Sequence, residues 1–182
     1  MDTKESLLES ALKVFKENGY HGSSIAEIAK AAKVSKALFY HYFKTKKDLL
    51  VIFSKRRLEE WTPLTEGLET IEDPKKRITF LIEFVLGELR EKPDWLRFLY
   101  MLYLSSDGTL AIQEAMAKYK DLFDRLFAAE RKLYKDLECK DPEEEAVYIR
   151  SLLQGISLEY LLSGTDYPLE SMKQKILQRY VP

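Results

Sequence analysis

The run Phe15-Lys16-Glu17-Asn18-Gly19-Tyr20, then Ser24-Ile25-Ala26-Glu27-Ile28-Ala29, then Val34-Ser35-Lys36-Ala37-Leu38-Phe39-Tyr40-His41-Tyr42-Phe43-Lys44-Thr45-Lys46 decides the fold. Gly19 reads as the stop of a preceding helix, with Tyr20 packing back beside it. Ser24 stands three residues ahead of Glu27, the spacing of a capping box, so a second helix starts there. On it, Ile25, Ile28, Ala29 and Ala32 are expected to face the core. Lys33-Val34 makes a turn, and Ser35 caps a third helix ending near Phe43. Two short helices separated by a few residues, the second crowded with hydroxyls, a histidine and lysines, form the layout of a helix-turn-helix. Its second helix enters the major groove of DNA.

Working outward, Leu7, Leu8, Ala11, Leu12, Val14 and Phe15 form one helical stripe, so the first helix runs from Asp2 or Thr3 to Asn18. Thr45 with Asp48 opens a fourth helix to about Trp61, after which Pro63 and Gly67 are expected to loosen the chain. Asp73-Pro74 opens a helix to about Arg90, since proline suits a first turn. Pro93-Asp94 opens another through Leu104, and Ser106 to Gly108 is expected to break the pattern. One long helix is expected to carry Leu110 through Leu133. Asp141-Pro142-Glu143-Glu144-Glu145 is a strong N-terminus because acids favour the positive end of the helix dipole; that helix ends at Gly164, and a last one runs to about Tyr180. The chain therefore reads as all-α, with about nine helices. A three-helix N-terminal helix-turn-helix domain over 1–48 precedes a helical ligand-sensing and dimerisation domain over 49–182.

Composition sets the class. With 46% hydrophobic and 32% charged residues and only seven glycines, the 182-residue chain suits a soluble helical protein rather than a turn-rich sheet. One cysteine, Cys139, excludes an intrachain disulfide and fits a reducing compartment. The opening Met1-Asp2-Thr3-Lys4-Glu5 lacks an apolar core, so no secretory signal is expected. No stretch approaches the ~20 apolar residues that span a bilayer. A cytoplasmic protein with no membrane partner is expected. Net charge is -1, but residues 1–57 hold twelve Lys or Arg against six Asp or Glu, and the remainder seventeen against twenty-four. A basic front and an acidic back suggest two jobs in one chain.

A DNA reader needs phosphate contacts for register and base contacts for sequence. Ser24 and Ser35 are helix caps, and their neighbouring amides can also meet phosphate. Lys36, Ala37, Leu38, Tyr40 and His41 lie along the exposed face of the third helix. Lys36 can donate to guanine and Leu38 can pack on a thymine methyl. Tyr40 is open between packing and reading, and His41 between a plain surface residue and a DNA contact. Phe39 and Phe43, four apart, read as core. The two histidines are too isolated to suggest a metal pair.

The pattern Phe15, Gly19, Tyr20, Ser24, Ile28, Ala29, Val34, Ser35, Phe39, Tyr40, Tyr42, Phe43, Lys46 and Leu49 resembles the DNA-binding domain of the TetR family of transcriptional regulators. The resemblance covers over a quarter of the chain. Lys33 and Ala37 stand where many members have glycine, and Leu38 is larger than the residue often found there. The resemblance implies that Tyr42 and Lys46 contact the DNA backbone. It also implies that the last two long helices pair with their mates in a four-helix bundle, giving a homodimer. Such a dimer suits a palindromic double-stranded operator with half-sites about 34 Å apart. The continuous helical pattern from Thr45 to Trp61 suggests the hypothesis that a small, apolar effector entering the back domain tilts the fourth helix and releases the DNA, making the protein a repressor.

In the back half, Ser151-Leu152-Leu153-Gln154-Gly155-Ile156-Ser157-Leu158 alternates small and large residues, as a close helix partner needs; Gly155 can equally relieve crowding within one protomer. The helix Trp95 to Leu104 is apolar nearly all round and must be enclosed. Trp61, Phe84, Trp95, Phe98, Tyr103, Tyr119, Phe123 and Tyr160, together with Phe80, are candidates to line an apolar effector cavity. Solid core is the commoner fate of any single aromatic. No glycine-rich phosphate loop, metal-ligand spacing or nucleophile–base pair points to an enzyme or to a cofactor. Cys139 sits beside acids, which disfavours a thiolate. The rival reading is a helical protein-interaction module that does not bind DNA.

Overall fold

The computed structural model describes residues 2–181. The terminal residues of the two expected domains, Met1 and Pro182, lie outside that range. Among the described residues there are eleven α-helices, one 3-10 turn and no strand. By their contacts they form two units, Met1–Arg57 with Phe98–Lys118, and Leu58–Arg97 with Tyr119–Pro182.

The first unit begins with α1 (Thr3–Asn18), capped by the Asp2 carboxylate and stopped by Gly19, whose φ of 71° an L side chain resists. α2 (Ile25–Ala31) has the full capping box: Ser24 Oγ accepts from the Glu27 amide, and the Glu27 carboxylate accepts from the Ser24 amide at 2.7 Å. α2 ends in a Schellman turn, with the Val34 amide on the Ala29 carbonyl, the Lys33 amide on the Lys30 carbonyl, and Lys33 at φ 56°. That turn sets the entry of α3 (Lys36–Tyr42), capped by Ser35. Thr45 and Asp48 cap each other reciprocally at the start of α4 (Lys46–Glu60). α7 (Pro93–Tyr103) contributes its second half and α8 (Ser106–Lys118) completes the unit. Phe15 is the centre of the core: Phe98 stacks on it at 6.2 Å, Phe53 meets it edge-on at 6.3 Å, and Leu7, Ile28, Phe39 and Leu49 are fully buried. Ile25 and Ala32 are only partly covered.

The second unit is organised on α6 (Pro74–Glu91), which packs against α5 (Thr62–Thr70), α9 (Lys120–Asp136), α10 (Pro142–Ser163) and α11 (Leu169–Tyr180). Its inward stripe is Ile78, Leu81, Ile82, Leu86 and Leu89. Buried Arg77 donates to Asp136 at 2.7 Å and to the Glu72 carbonyl at 3.3 Å. Asp141 caps α10 through the amides of Glu143 and Glu144, and Gly164 stops it at φ 67°.

Four sequence expectations need correction. The stretch after α4 is not loose: Pro63, second in α5, sits where no amide is needed, and a Cβ on Gly67 would stand 2.1 Å from the Phe80 ring, so that glycine admits a neighbour rather than breaking a helix. The break expected at Ser106 to Gly108 falls at Leu104–Ser105, with Ser105 Oγ accepting from the Gly108 amide at 3.0 Å. The single long helix expected from Leu110 to Leu133 is two, interrupted at Tyr119. These changes raise the count from about nine to eleven. Finally, α7 is not enclosed all round within this chain: Leu96, Phe98, Leu99 and Leu102 are buried, while Met101 and Leu104 are half and four-fifths exposed.

Candidate functional site

α3 is fixed from within and open on its other side. Phe39 and, just beyond the helix, Phe43 are buried with ring centres 5.3 Å apart, as their four-residue spacing predicts. Rotation about that anchor leaves Lys36, Ala37 and His41 exposed, Tyr40 exposed by 54% and Tyr42 by 36%, with Leu38 partly covered. Tyr40 packs its ring edge against Phe39 at 5.7 Å yet stays outside the core, so it is available to solvent. His41 and Tyr42 meet edge to face at 5.0 Å. The Schellman turn and the Ser35 cap, which accepts from the Leu38 amide at 3.1 Å, hold this face against the body of the unit.

Two of the DNA-binding candidates have other work in the structure. Ser24 is closed on Glu27, whose carboxylate accepts from both its amide and its hydroxyl at 2.7 Å. Those bonds hold the Glu27 carboxyl below its usual range. Lys46 turns inward. Its ammonium donates to the Tyr20 and Ser23 carbonyls and lies 4.2 Å over the Tyr20 ring. Partial burial depresses the Lys46 ammonium, and burial pushes the Tyr20 phenol up to about 12 with help from Asp107 and Asp48. Sequence reasoning missed two ion pairs from α8: Lys47 to Glu114 at 3.0 Å and His21 to Asp107 at 3.6 Å. Contacts across more than sixty positions leave no local signal.

The eight effector candidates divide between the units. Phe98 is buried in the Phe15–Phe53 cluster, and Tyr103 ends α7 in the same unit. Trp61, Phe84, Trp95, Tyr119, Phe123 and Tyr160 belong to the second unit, all partly buried. The Trp61 indole donates to Glu88 and the Trp95 indole to Glu60, each at 3.2 Å. Phe84 packs against Phe80, Phe123 against Phe127 and Tyr160 against Tyr167. Tyr160 also lines a surface depression with Arg90, Thr165 and Tyr167. The Cys139 thiol is pushed up, chiefly by burial and then by Glu145.

On α10, Val147, Tyr148, Ser151, Gln154, Gly155, Leu158 and Leu162 form an exposed stripe, with Leu162 74% exposed. Nothing lies within 4 Å of a Cβ placed on Gly155, so it relieves no crowding inside the protomer.

Taken together, this is an all-helical protein whose N-terminal unit is a helix-turn-helix with an open, basic and aromatic second helix. Residues 7–51 match the family described as bacterial regulatory proteins, tetR family, and this helix-turn-helix belongs to that family. The chain is similar to the fatty acid metabolism regulator protein of Bacillus subtilis, 36% identical over 73 residues, 40% of this chain and 35% of that protein. It is also similar to the transcriptional regulator RutR of Escherichia coli O157:H7, 27% identical over 121 residues, 66% of this chain and 57% of that one. The matched stretches thus span from about a third to just over half of these relatives' length. Over the whole fold it superimposes on a transcriptional regulator FadR from Bacillus subtilis in complex with stearoyl-CoA, with TM-score 0.75, 21% identity and 97% of each chain covered.

Proposed function

We propose that the protein is an effector-responsive DNA-binding transcriptional repressor. The observation that carries this reading is α3: a short helix anchored by Phe39 and the adjoining Phe43, presenting Lys36, Ala37, Leu38, Tyr40, His41 and Tyr42 outward within a tetR-family segment. Residues 1–48 read the duplex, with α3 in the major groove and the exposed Tyr42, together with the amides beside the Ser24 and Ser35 caps, supporting backbone contacts, while Lys46 is turned inward and braces the turn before α2. Residues 49–182 bind the effector and dimerise. A single small reader binds weakly, so two are joined, through the exposed stripe of α10 together with α11, on a palindromic operator. The stripe's apolar residues and the open Gly155 support that choice.

The effector is small and apolar, received within the second unit among Trp61, Phe84, Trp95, Tyr119, Phe123 and Tyr160, since Phe98 is buried in the Phe15–Phe53 cluster of the first unit and Tyr103 belongs to that unit too. The stearoyl-CoA held by a protein of the same fold makes a long acyl chain the first ligand to test. Effector binding tilts α4 and separates the reading heads, which requires the ligand to prefer the released state. No helix among the described residues is long and apolar enough to cross a membrane, and we place the regulator in the cytoplasm with its DNA.

Selection of genomic fragments on the purified protein, followed by titration of candidate acyl ligands, tests the reading. Enrichment of palindromic sites that the ligand releases supports it. A ligand that binds tightly and leaves operator affinity unchanged contradicts the coupling, and capture of no duplex contradicts the DNA-binding role in favour of a protein-interaction module.

A further inference from the structure

α8 presents two carboxylates to the basic N-terminal unit. Asp107 and Glu114 are seven positions apart and therefore share one face of the helix over roughly 10 Å. Glu114 Oε2 lies 3.0 Å from Lys47 Nζ, and Asp107 Oδ2 lies 3.6 Å from His21 Nε2, a pair that is charged only when the imidazole is protonated. The helix is seated by small residues. Ala111 and Ala115 are fully buried, and a Cβ on Gly108 would stand 1.8 Å from the Leu102 carbonyl. Lys47 belongs to the cationic run Lys44, Lys46, Lys47 that follows α3. Within that run Lys44 is exposed, Lys46 is turned onto the Ser23 carbonyl, and Lys47 is held by an acid.

We propose that α8 competes inside the protomer for the cations that a DNA backbone would take: Glu114 occupies Lys47, and Asp107 protonated His21, until duplex phosphates displace them. The competition rests on the DNA-reading role proposed above. Both members of the Lys47–Glu114 pair are over a third exposed, and such pairs are weak enough for a phosphate to displace. A phosphate offers the same charge and releases counterions from the duplex besides. α8 thereby sets how much duplex affinity the reading head can express. Any movement of α8 that separates Glu114 from Lys47 raises that affinity.

The test uses the full-length protein and a fluorescein-labelled random-sequence duplex, followed by anisotropy between roughly 50 and 200 mM NaCl. Glu114→Gln is expected to bind roughly two- to fivefold more tightly than the unsubstituted chain at the low-salt end, with a steeper salt slope. The gain is expected to vanish when Lys47→Gln is present. Glu17→Gln on α1, outside any α8 ion pair, measures the generic effect of removing an acid and is expected to give a smaller gain. Asp107→Asn is a second variant with the same expected direction, and thermal melts followed by circular dichroism confirm that each protein is folded. Unchanged or weaker binding by Glu114→Gln overturns the competition, as does a gain that matches Glu17→Gln or survives Lys47→Gln. Failure of the unsubstituted and Glu114→Gln proteins alike to bind duplex overturns the DNA-reading role and the competition together, a result distinct from salt-dependent binding that Glu114→Gln leaves alone.

Discussion

The Lys46 ammonium lies 4.2 Å over the ring of Tyr20, twenty-six positions away, and donates to that residue's carbonyl. With the Ser23 carbonyl at 2.7 Å, it ties the turn between α1 and α2 to the first residue of α4. Replacing the ammonium by an apolar group of similar length leaves two carbonyls short of a donor. Lys46→Met is expected to cost about 1–2 kcal/mol in urea unfolding. A variant as stable as the unsubstituted chain shows that the turn does not depend on this contact.

Lys33 holds a left-handed conformation at φ 56° to complete the turn before α3. A side chain there carries roughly 1–2 kcal/mol of local strain that glycine lacks, partly offset by the greater freedom of glycine in the unfolded chain. Lys33→Gly is expected to stabilise the protein by about 0.5–1 kcal/mol, read as a higher denaturation midpoint. A loss of stability means the Lys33 side chain makes a contact worth more than the strain.

Glu130 is buried on α9 with its carboxylate 2.9 Å from Arg150, and burial outweighs that guanidinium so that its carboxyl is raised. An acid raised in the folded state keeps a proton that the unfolded chain has lost. Its contribution to stability is therefore fully present below the ordinary glutamate range and is lost as pH climbs through the raised value. Glu130→Gln removes this dependence. Its melting temperature, measured against the unsubstituted protein, is expected to gain as pH rises from about 4.5 toward neutrality, starting from the ordinary glutamate value. A constant difference across that window shows that the Arg150 pairing balances the burial.

The α10 stripe tests the proposed dimer. Leu158 and Leu162 are 40% and 74% exposed in the protomer, so Leu158→Glu with Leu162→Glu removes little from the protomer's own core. Sedimentation is expected to show a dimer for the unsubstituted chain and a monomer for the variant, both with the same helical content. A variant that stays dimeric moves the interface elsewhere.

Much of this was legible because helix ends carry local chemistry. Ser24 with Glu27, Ser35, Asp73 and Asp141 cap where the sequence places them, and Gly19 and Gly164 stop the helices they follow. The same local logic failed at Pro63 and Gly67, because a proline early in a helix and a glycine under an aromatic ring are compatible with helix. It failed at Tyr119, where no glycine, proline or cap announces the break. In the candidate site, spacing exposed the two faces of α3, but the inward turn of Lys46 and the α8 ion pairs join residues far apart in sequence. Nothing nearby in the chain encodes those meetings.

The outward face of α3 is the central claim, and duplex affinity measures it. Lys36→Ala, Tyr40→Ala and His41→Ala change exposed side chains outside the buried Phe39–Phe43 anchor, Tyr40 losing only an edge contact with Phe39, so the fold is expected to persist. Loss of a phosphate contact lowers affinity for every duplex, whereas loss of a base contact costs roughly 1–3 kcal/mol on the selected operator and relaxes its sequence. The account predicts that at least one of the three behaves in the second way, by anisotropy on operator and scrambled duplexes at one salt concentration. Three folded variants that bind both duplexes as tightly as the unsubstituted protein would contradict it.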